Sequence, residues 1–339
     1  MRTVFGAVQH YDWGDTSALP RLLHREPNGQ PWAEIWFGTH HVAPSHLDSP
    51  DGPPLAAVTG EMNMLVKLLS CASPLSLQTH PNLEQARMGF DSEESAGIDR
   101  LAQNRMYRDA SDKPEMMIAL EPFEALCGFA PLDQSISLFN EMAWHTEAAV
   151  LKERGIAGYL SWAFSQNDTP PTTNAPDWLQ RVALLYPNDK GIRVAPLLHH
   201  VVLQPGEAIA LPAGNLHAYL RGTGLEVMKS SDNVVRAGFT SKHIDVAELL
   251  RIVDTTVLLQ PIVQTQSHGA WTHYPSPTTA FSVESIDSAL STDVVASQSH
   301  RMIFGAFDAA PSVKLLVKGE SATLPHNRGV FWVCTQNNE

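Results

Sequence analysis

Four side chains of this sequence are spaced to share one metal ion. Gln78 and His80 stand two apart in Leu75-Ser76-Leu77-Gln78-Thr79-His80, a strand-like run that ends at Pro81. On a strand, residues i and i+2 project to the same face, so the amide oxygen and the imidazole point together. Glu115 follows Lys113-Pro114 where a loop enters an apolar run, and His217 follows the turn Pro212-Ala213-Gly214. Two imidazoles, a carboxylate and an amide oxygen suit a single divalent cation. The set fits catalytic zinc, which usually keeps one position open, but iron and manganese accept similar donors. Each piece alone is weak: a Gln-x-His pair is more often a solvated strand face, and a Lys-Glu pair at a strand entry is more often a surface ion pair worth about 0–1 kcal/mol. Lys67, Lys113 and Arg236, together with Asp232, lie close in sequence to the four candidates and form a local basic island suited to an anionic substrate.

Such residues need rigid elements to bring them together. Residues 201–203 and 208–211 are β-prone runs broken by Pro205-Gly206 and Pro212-Ala213-Gly214, the turn-strand-turn rhythm of antiparallel sandwiches. Residues 64–69 form an apolar strand interrupted by Lys67, and residues 1–70 read as short strands with long loops. His40 and His41 follow an alternating run there; neighbours on a strand face opposite ways, so at most one faces a site. Residues 82–106 turn helical, with Glu93-Glu94 and Asp99-Arg100 read as a solvated face. Residues 132–198 repeat apolar positions at helical spacing (Ile136, Phe139, Met142; Trp178, Leu179, Val182), broken by Thr169-Pro170-Pro171-Thr172-Thr173. Trp144, Trp162 and Trp178 serve as packing. Asp245-Val246-Ala247-Glu248 has capping-box form and opens a helix to about Val253. Beyond Gln260 the chain is β-like again and echoes itself: Gly206-Glu207 and Leu211-Pro212 recur as Gly319-Glu320 and Leu324-Pro325, with Val330 where His217 stands.

The expected division is therefore 1–131 and 199–260 as one roll, 132–198 as a helical domain, and 261–339 as a second, shortened roll without metal ligands. The fold class is mainly β with a helical insertion. A net charge of −13 over 339 residues argues against a general nucleic-acid or membrane-surface role, which needs a positive face. Cys71, Cys127 and Cys334 form no close pair, and neither a signal peptide nor a run of about 18 apolar residues is present. A soluble protein of the reducing cytoplasm, expected as a monomer, fits best.

The spacing Gly206, five residues, Pro212, one residue, Gly214, two residues, His217 resembles the second half of the cupin signature. More specifically, LVKLLSCASPLSLQTHP, YRDASDKPEMMIALEPFEALCGF and LQPGEAIALPAGNLHAYLRGTGLEVMKSSDNVVRAGFTSKHIDV resemble type I mannose-6-phosphate isomerases, with fainter likeness at YDWGD, AEIWFGTHHVAPS and YPNDKGIRVAPLLHHV. The resemblance covers most of residues 5–255. It implies a double cupin-like jelly roll with a helical domain, and a zinc ion held by Gln78, His80, Glu115 and His217. It implies Arg236 as a catalytic group, Lys67 and Lys113 near the substrate, and Asp232 beside the arginine. Many members carry His-Lys-Pro-Glu where this chain has Asp112-Lys113-Pro114-Glu115, so a ring-opening role for that histidine does not transfer.

The implied reaction interconverts mannose 6-phosphate and fructose 6-phosphate, moving a proton between C2 and C1 through an enediol. Lys113, Asp232 and a metal-bound water are the alternatives for the general base, and Asp112 is a further proton carrier in place of the missing histidine. Two other readings share the ligand set: an iron-dependent cupin oxygenase, and a non-catalytic cupin that binds metal and sugar phosphate.

Overall fold

The computed structural model describes residues 1–295 and 299–337. Its spine is the strand His217–Lys229, which serves two sheets. The second half pairs antiparallel with Met64–Cys71, Glu226 opposite Lys67, and with Glu115–Ala119, Met228 opposite Glu115. The first half pairs instead with Leu77–Thr79, His217 opposite Gln78, and with Phe123–Phe129. The change of partners centres on Gly222. Register slips between Tyr219 and Arg221, and Gly222 has φ +124°. A Cβ there would lie 2.6 Å from Pro122 O and 2.7 Å from Phe123 Cα, so only glycine lets the strand turn this corner.

The remaining strands widen these two surfaces. Glu34–Phe37 and then Ala7–Gln9 extend outward from Met64–Cys71. Ala208–Leu211 flanks Glu115–Ala119, and Leu198–Leu203 flanks Phe123–Phe129. Val235–Gly238 lies beside Leu77–Thr79 with Arg236 opposite Gln78. Gln78 therefore stands between His217 and Arg236 in one cross-strand row.

Met64–Cys71 is buried on both faces, which is why it reads as an almost unbroken apolar run. Met64, Val66 and Leu68 pack with Phe281, Met302 and Trp332 of the C-terminal sheet in one core. Lys67 points to the opposite face. The eight-stranded C-terminal sheet has Val330–Gln336 in its interior, between Phe281–Asp287 and Arg301–Gly305. Its far edge is made by the start of the chain: Arg2–Phe5 pairs with Ser312–Leu316, and His46–Leu47 with Arg2–Phe5.

The sequence echo is a repeated turn. Gln204 N donates to the Glu207 carboxylate at 2.8 Å while Glu207 N donates to Gln204 O; Val317 and Glu320 repeat both bonds, with Gly206 and Gly319 at φ +92° and +83°. Gly214 at φ +80° has its counterpart in Asn327 at φ +54°, and Val330, like His217, opens a strand.

Four α-helices, Leu132–Glu141, His145–Ser165, Asp177–Leu185 and Gly191–Val194, pack Phe139, Trp144, Tyr159 and Trp178 into a core with Trp162 at its edge. The helix Leu83–Ser95 starts at a complete Asn82/Gln85 capping box. At Val246–Ile252 only half the expected box forms: Asp245 caps Glu248 N, but the Glu248 side chain turns to Tyr107 and Arg251. Glu93 corrects the reading of a solvated face. It is buried, accepts from Met106 N and Tyr107 N, and pairs with buried Arg105 at 2.9 Å, because the chain folds back over the helix. Replacing Gly222 by alanine is expected to lower stability by about 3 kcal/mol through backbone strain and overlap. The check is a urea midpoint shifted down at unchanged slope.

Candidate metal centre and cleft

Glu115 opens the strand Glu115–Ala119, His80 follows Leu77–Thr79, and His217 opens the spine strand. The pairing just described brings them together, with one ligand atom from each within 4.8 Å of the others and all three residues buried. The turn at Gly214 is tied to the histidine strand by Gly214 N donating to His80 O at 2.8 Å.

Hydrogen bonds fix what the imidazoles present. His80 Nδ1 lies 2.7 Å from Asn233 O, and His217 Nδ1 lies 3.0 Å from Asn215 O. Carbonyls only accept, so each Nδ1 carries the proton and each Nε2 offers a lone pair. Those Nε2 atoms face the Glu115 oxygens at 3.4 and 3.5 Å. These are close approaches without hydrogen-bond geometry, and His80 Nε2, His217 Nε2 and Glu115 Oε2 have no hydrogen-bond partner. Burial, reinforced by the Lys113 charge, pushes His80 down to about 4, leaving it neutral at pH 7. Burial works against ionisation of Glu115, but the Lys113 ammonium 3.2 Å away together with His80 and His217 outweighs it and holds the carboxyl well below its usual range. Three dry acceptors aimed at one another with no donor between them are costly for a protein alone, whereas a divalent cation satisfies all three. The donor set fits such a cation.

A cleft of about 450 Å³ opens beside them, lined in part by Trp13, Lys67, Gln78, Lys113, Asp232 and Arg236. Gln78 Oε1 accepts from Ser76 Oγ at 2.9 Å. Lys67 Nζ sits 3.4 Å from Glu34, 3.1 Å from Glu226 and 5.0 Å over the Trp36 ring. Burial disfavours its charge, but the two carboxylates prevail and raise its pKa, so Lys67 stays cationic. Burial raises Glu226, which accepts the Tyr219 hydroxyl at 2.8 Å. Asp232 lies 3.3 Å from His40; burial opposes its charge, yet the His40 contact holds it at about 2. Arg236 is half-buried with no carboxylate partner among the described residues, and burial followed by the Arg108 charge lowers its pKa. Lys242 is lowered by burial, then by Arg236 and Arg108. Three cations thus crowd one wall.

The eight residues picked out by sequence for this site lie together: His80, Glu115 and His217 in the cradle, and Gln78, Lys67, Lys113, Asp232 and Arg236 along the cleft. Asp112 does not line the cleft; it pairs with Lys229 at 3.0 Å. Sequence reasoning passed over Asn233, which orients His80, and over Glu34 and Glu226. A signal existed for Glu226: like Lys67 it is a lone charge in an apolar run, and the two are register partners. Of the adjacent histidines, His40 is buried toward Asp232 and His41 is exposed.

The fold and site define a metal-binding double β-roll protein with a cationic cleft. Residues 2–132 match the family model "Phosphomannose isomerase type I, catalytic domain". The chain is 33% identical over 353 residues to a mannose-6-phosphate isomerase of Shigella flexneri, covering 90% of this chain and 88% of that protein. The human mannose-6-phosphate isomerase is 31% identical over 74% of this chain and 72% of its own. A zinc-bound crystal structure of a mannose 6-phosphate isomerase superposes with TM-score 0.84 at 29% identity, covering 99% of both chains. The chain belongs to the type I phosphomannose isomerase family.

Calorimetric titration of metal-free protein with a divalent cation should show one site per chain. His217→Ala should weaken it by more than the 10–100-fold typical of changes outside the ligand shell.

Proposed function

We infer that this protein is a zinc-dependent aldose–ketose isomerase that interconverts mannose 6-phosphate and fructose 6-phosphate. The observation that carries the reading is the dry cradle of His80, Glu115 and His217 beside a cleft whose Arg108, Arg236 and Lys242 have no carboxylate partner among the described residues. His80, Glu115 and His217 would hold the ion, with Gln78, next to His217 in the sheet, as the fourth protein ligand. A divalent cation held there would supply Lewis-acid polarisation of the sugar carbonyl, and Glu115, now paired with Lys113, would be one of its ligands.

The cleft residues supply the rest. Arg108, Arg236 and Lys242 provide the positive wall that an acidic protein needs to hold a phosphate. Arg236 stabilises negative charge as the enediol forms, and Lys67, kept cationic by Glu34 and Glu226, binds sugar oxygens. Asp232, held at about 2 with His40 beside it, is too weak a base to take a carbon-bound proton and serves to place His40. That leaves Lys113 as the side chain we assign to proton transfer between C2 and C1. Substrate binding thus falls to Lys67, Lys113 and Arg236. No helix of the described residues is long and apolar enough to cross a membrane. We further propose a cytoplasmic monomer without nucleic-acid or membrane partners, divided into a catalytic roll, the 132–198 helical domain and a metal-free roll.

Turnover of mannose 6-phosphate should vanish on chelation and return with zinc. Lys113→Met should lower kcat by about 10²–10⁴-fold, the usual contribution of a general base. A folded, zinc-loaded protein without turnover contradicts the function, and a Lys113→Met variant with wild-type kcat removes Lys113 as the base.

A further inference from the structure

The cleft wall that carries Lys242 is not held by the β-roll alone. The strand Val235–Gly238 is followed by Phe239 at φ +55°. This left-handed conformation is costly for a bulky residue and persists only where surrounding contacts impose it. Thr240, Ser241 and Lys242 come next and line the cleft. The contacts that impose the bend come from the helical insertion.

Between the helices Asp177–Leu185 and Gly191–Val194, residues 186–190 cross over this loop. The Asp189 carboxylate accepts Gly191 N at 2.7 Å, closing its own turn, and Thr240 N at 3.4 Å. Tyr186 stacks on Phe239 with ring centroids 5.9 Å apart and donates its hydroxyl to Pro74 O at 3.0 Å. Pro74 also lines the cleft, just ahead of the Gln78 strand. Gly191 and Gly238 meet back to back: a Cβ on Gly238 would stand 2.6 Å from both Gly191 Cα and Asp189 Oδ1. Lys190 Nζ donates to Phe164 O at 2.6 Å and ties the segment to the helix His145–Ser165. One segment of the insertion therefore grips both loops that flank the cleft.

We propose that Asp189 is a positioning residue: its carboxylate fixes the 239–242 loop so that Lys242 stands against the anionic group of the substrate. The proposal rests on the isomerase reading for the identity of that anion. Asp189 does not line the cleft and acts only through the backbone of the loop.

The test combines kinetics of Asp189→Ala and Asp189→Asn on mannose 6-phosphate with hydrogen exchange of the 238–242 amides in the zinc-loaded protein. Asp189→Ala should raise KM about tenfold, as expected for one lost hydrogen bond to a charged acceptor, with kcat within about twofold of wild type. The 238–242 amides should exchange faster. Asp189→Asn, which keeps a neutral acceptor of the same shape, should give an intermediate rise in KM of about threefold. A purely structural role would lower the thermal midpoint and leave KM and loop exchange at wild-type values, and that result overturns the proposal. If Asp189→Ala does not fold, Asp189→Asn decides alone: raised KM with faster exchange supports the proposal, and wild-type values overturn it. Exchange needs no substrate, so a wild-type protein inert toward mannose 6-phosphate would sink the isomerase reading while exchange still decides the loop.

Discussion

Two imidazoles and an ionised carboxylate converge in a dry interior with their facing atoms unpartnered. Left to themselves these groups repel and lack partners, which is costly in a low-dielectric site. The structure nonetheless holds them in place from behind. Asn233 O and Asn215 O fix both Nδ1 protons and so aim both Nε2 lone pairs inward. Lys113 lies against Glu115 and keeps it charged. An arrangement that holds acceptors together against their own electrostatics is intelligible when a cation occupies the space between them.

The sheet architecture makes that convergence geometrically possible. Because His217–Lys229 changes sheets at Gly222, its start reaches the Gln78 strand while its later residues reach Lys67 and Glu115. The row His217, Gln78, Arg236 then places two proposed ligands and a cleft cation side by side on adjacent strands. The same strand links the cradle to the buried Lys67–Glu226 pair through their shared register position. Cradle and cleft are thus two consequences of one strand's path.

Much of this was legible in the sequence, for reasons that can be named. The Gln-x-His spacing picked out Gln78, which lines the cleft, and His80, which joins the cradle, and the turn before His217 marked where a strand begins; both depend only on local chain geometry. The helical insertion declared itself through apolar spacing and its tryptophans. What local signals could not show was pairing at a distance. Nothing near Arg2 announces that it completes a sheet with residue 315, nor that Glu93 will be covered by Arg105 and Tyr107. Asp112 looked like a stand-in for a proton carrier because it occupies the right place in a motif, yet its side chain turns to Lys229, 117 residues further along the chain. Orientation of a side chain at a loop is set by tertiary partners that a single sequence does not reveal.

The most direct test of the central claim is the X-ray absorption spectrum at the zinc edge of protein loaded with one equivalent of the ion. The expected first shell contains nitrogen and oxygen at roughly 2.0–2.2 Å, with the multiple-scattering pattern of two imidazoles and no sulfur. A shell with sulfur at roughly 2.3 Å, or one with no imidazole signature, would place the ion elsewhere and contradict the account.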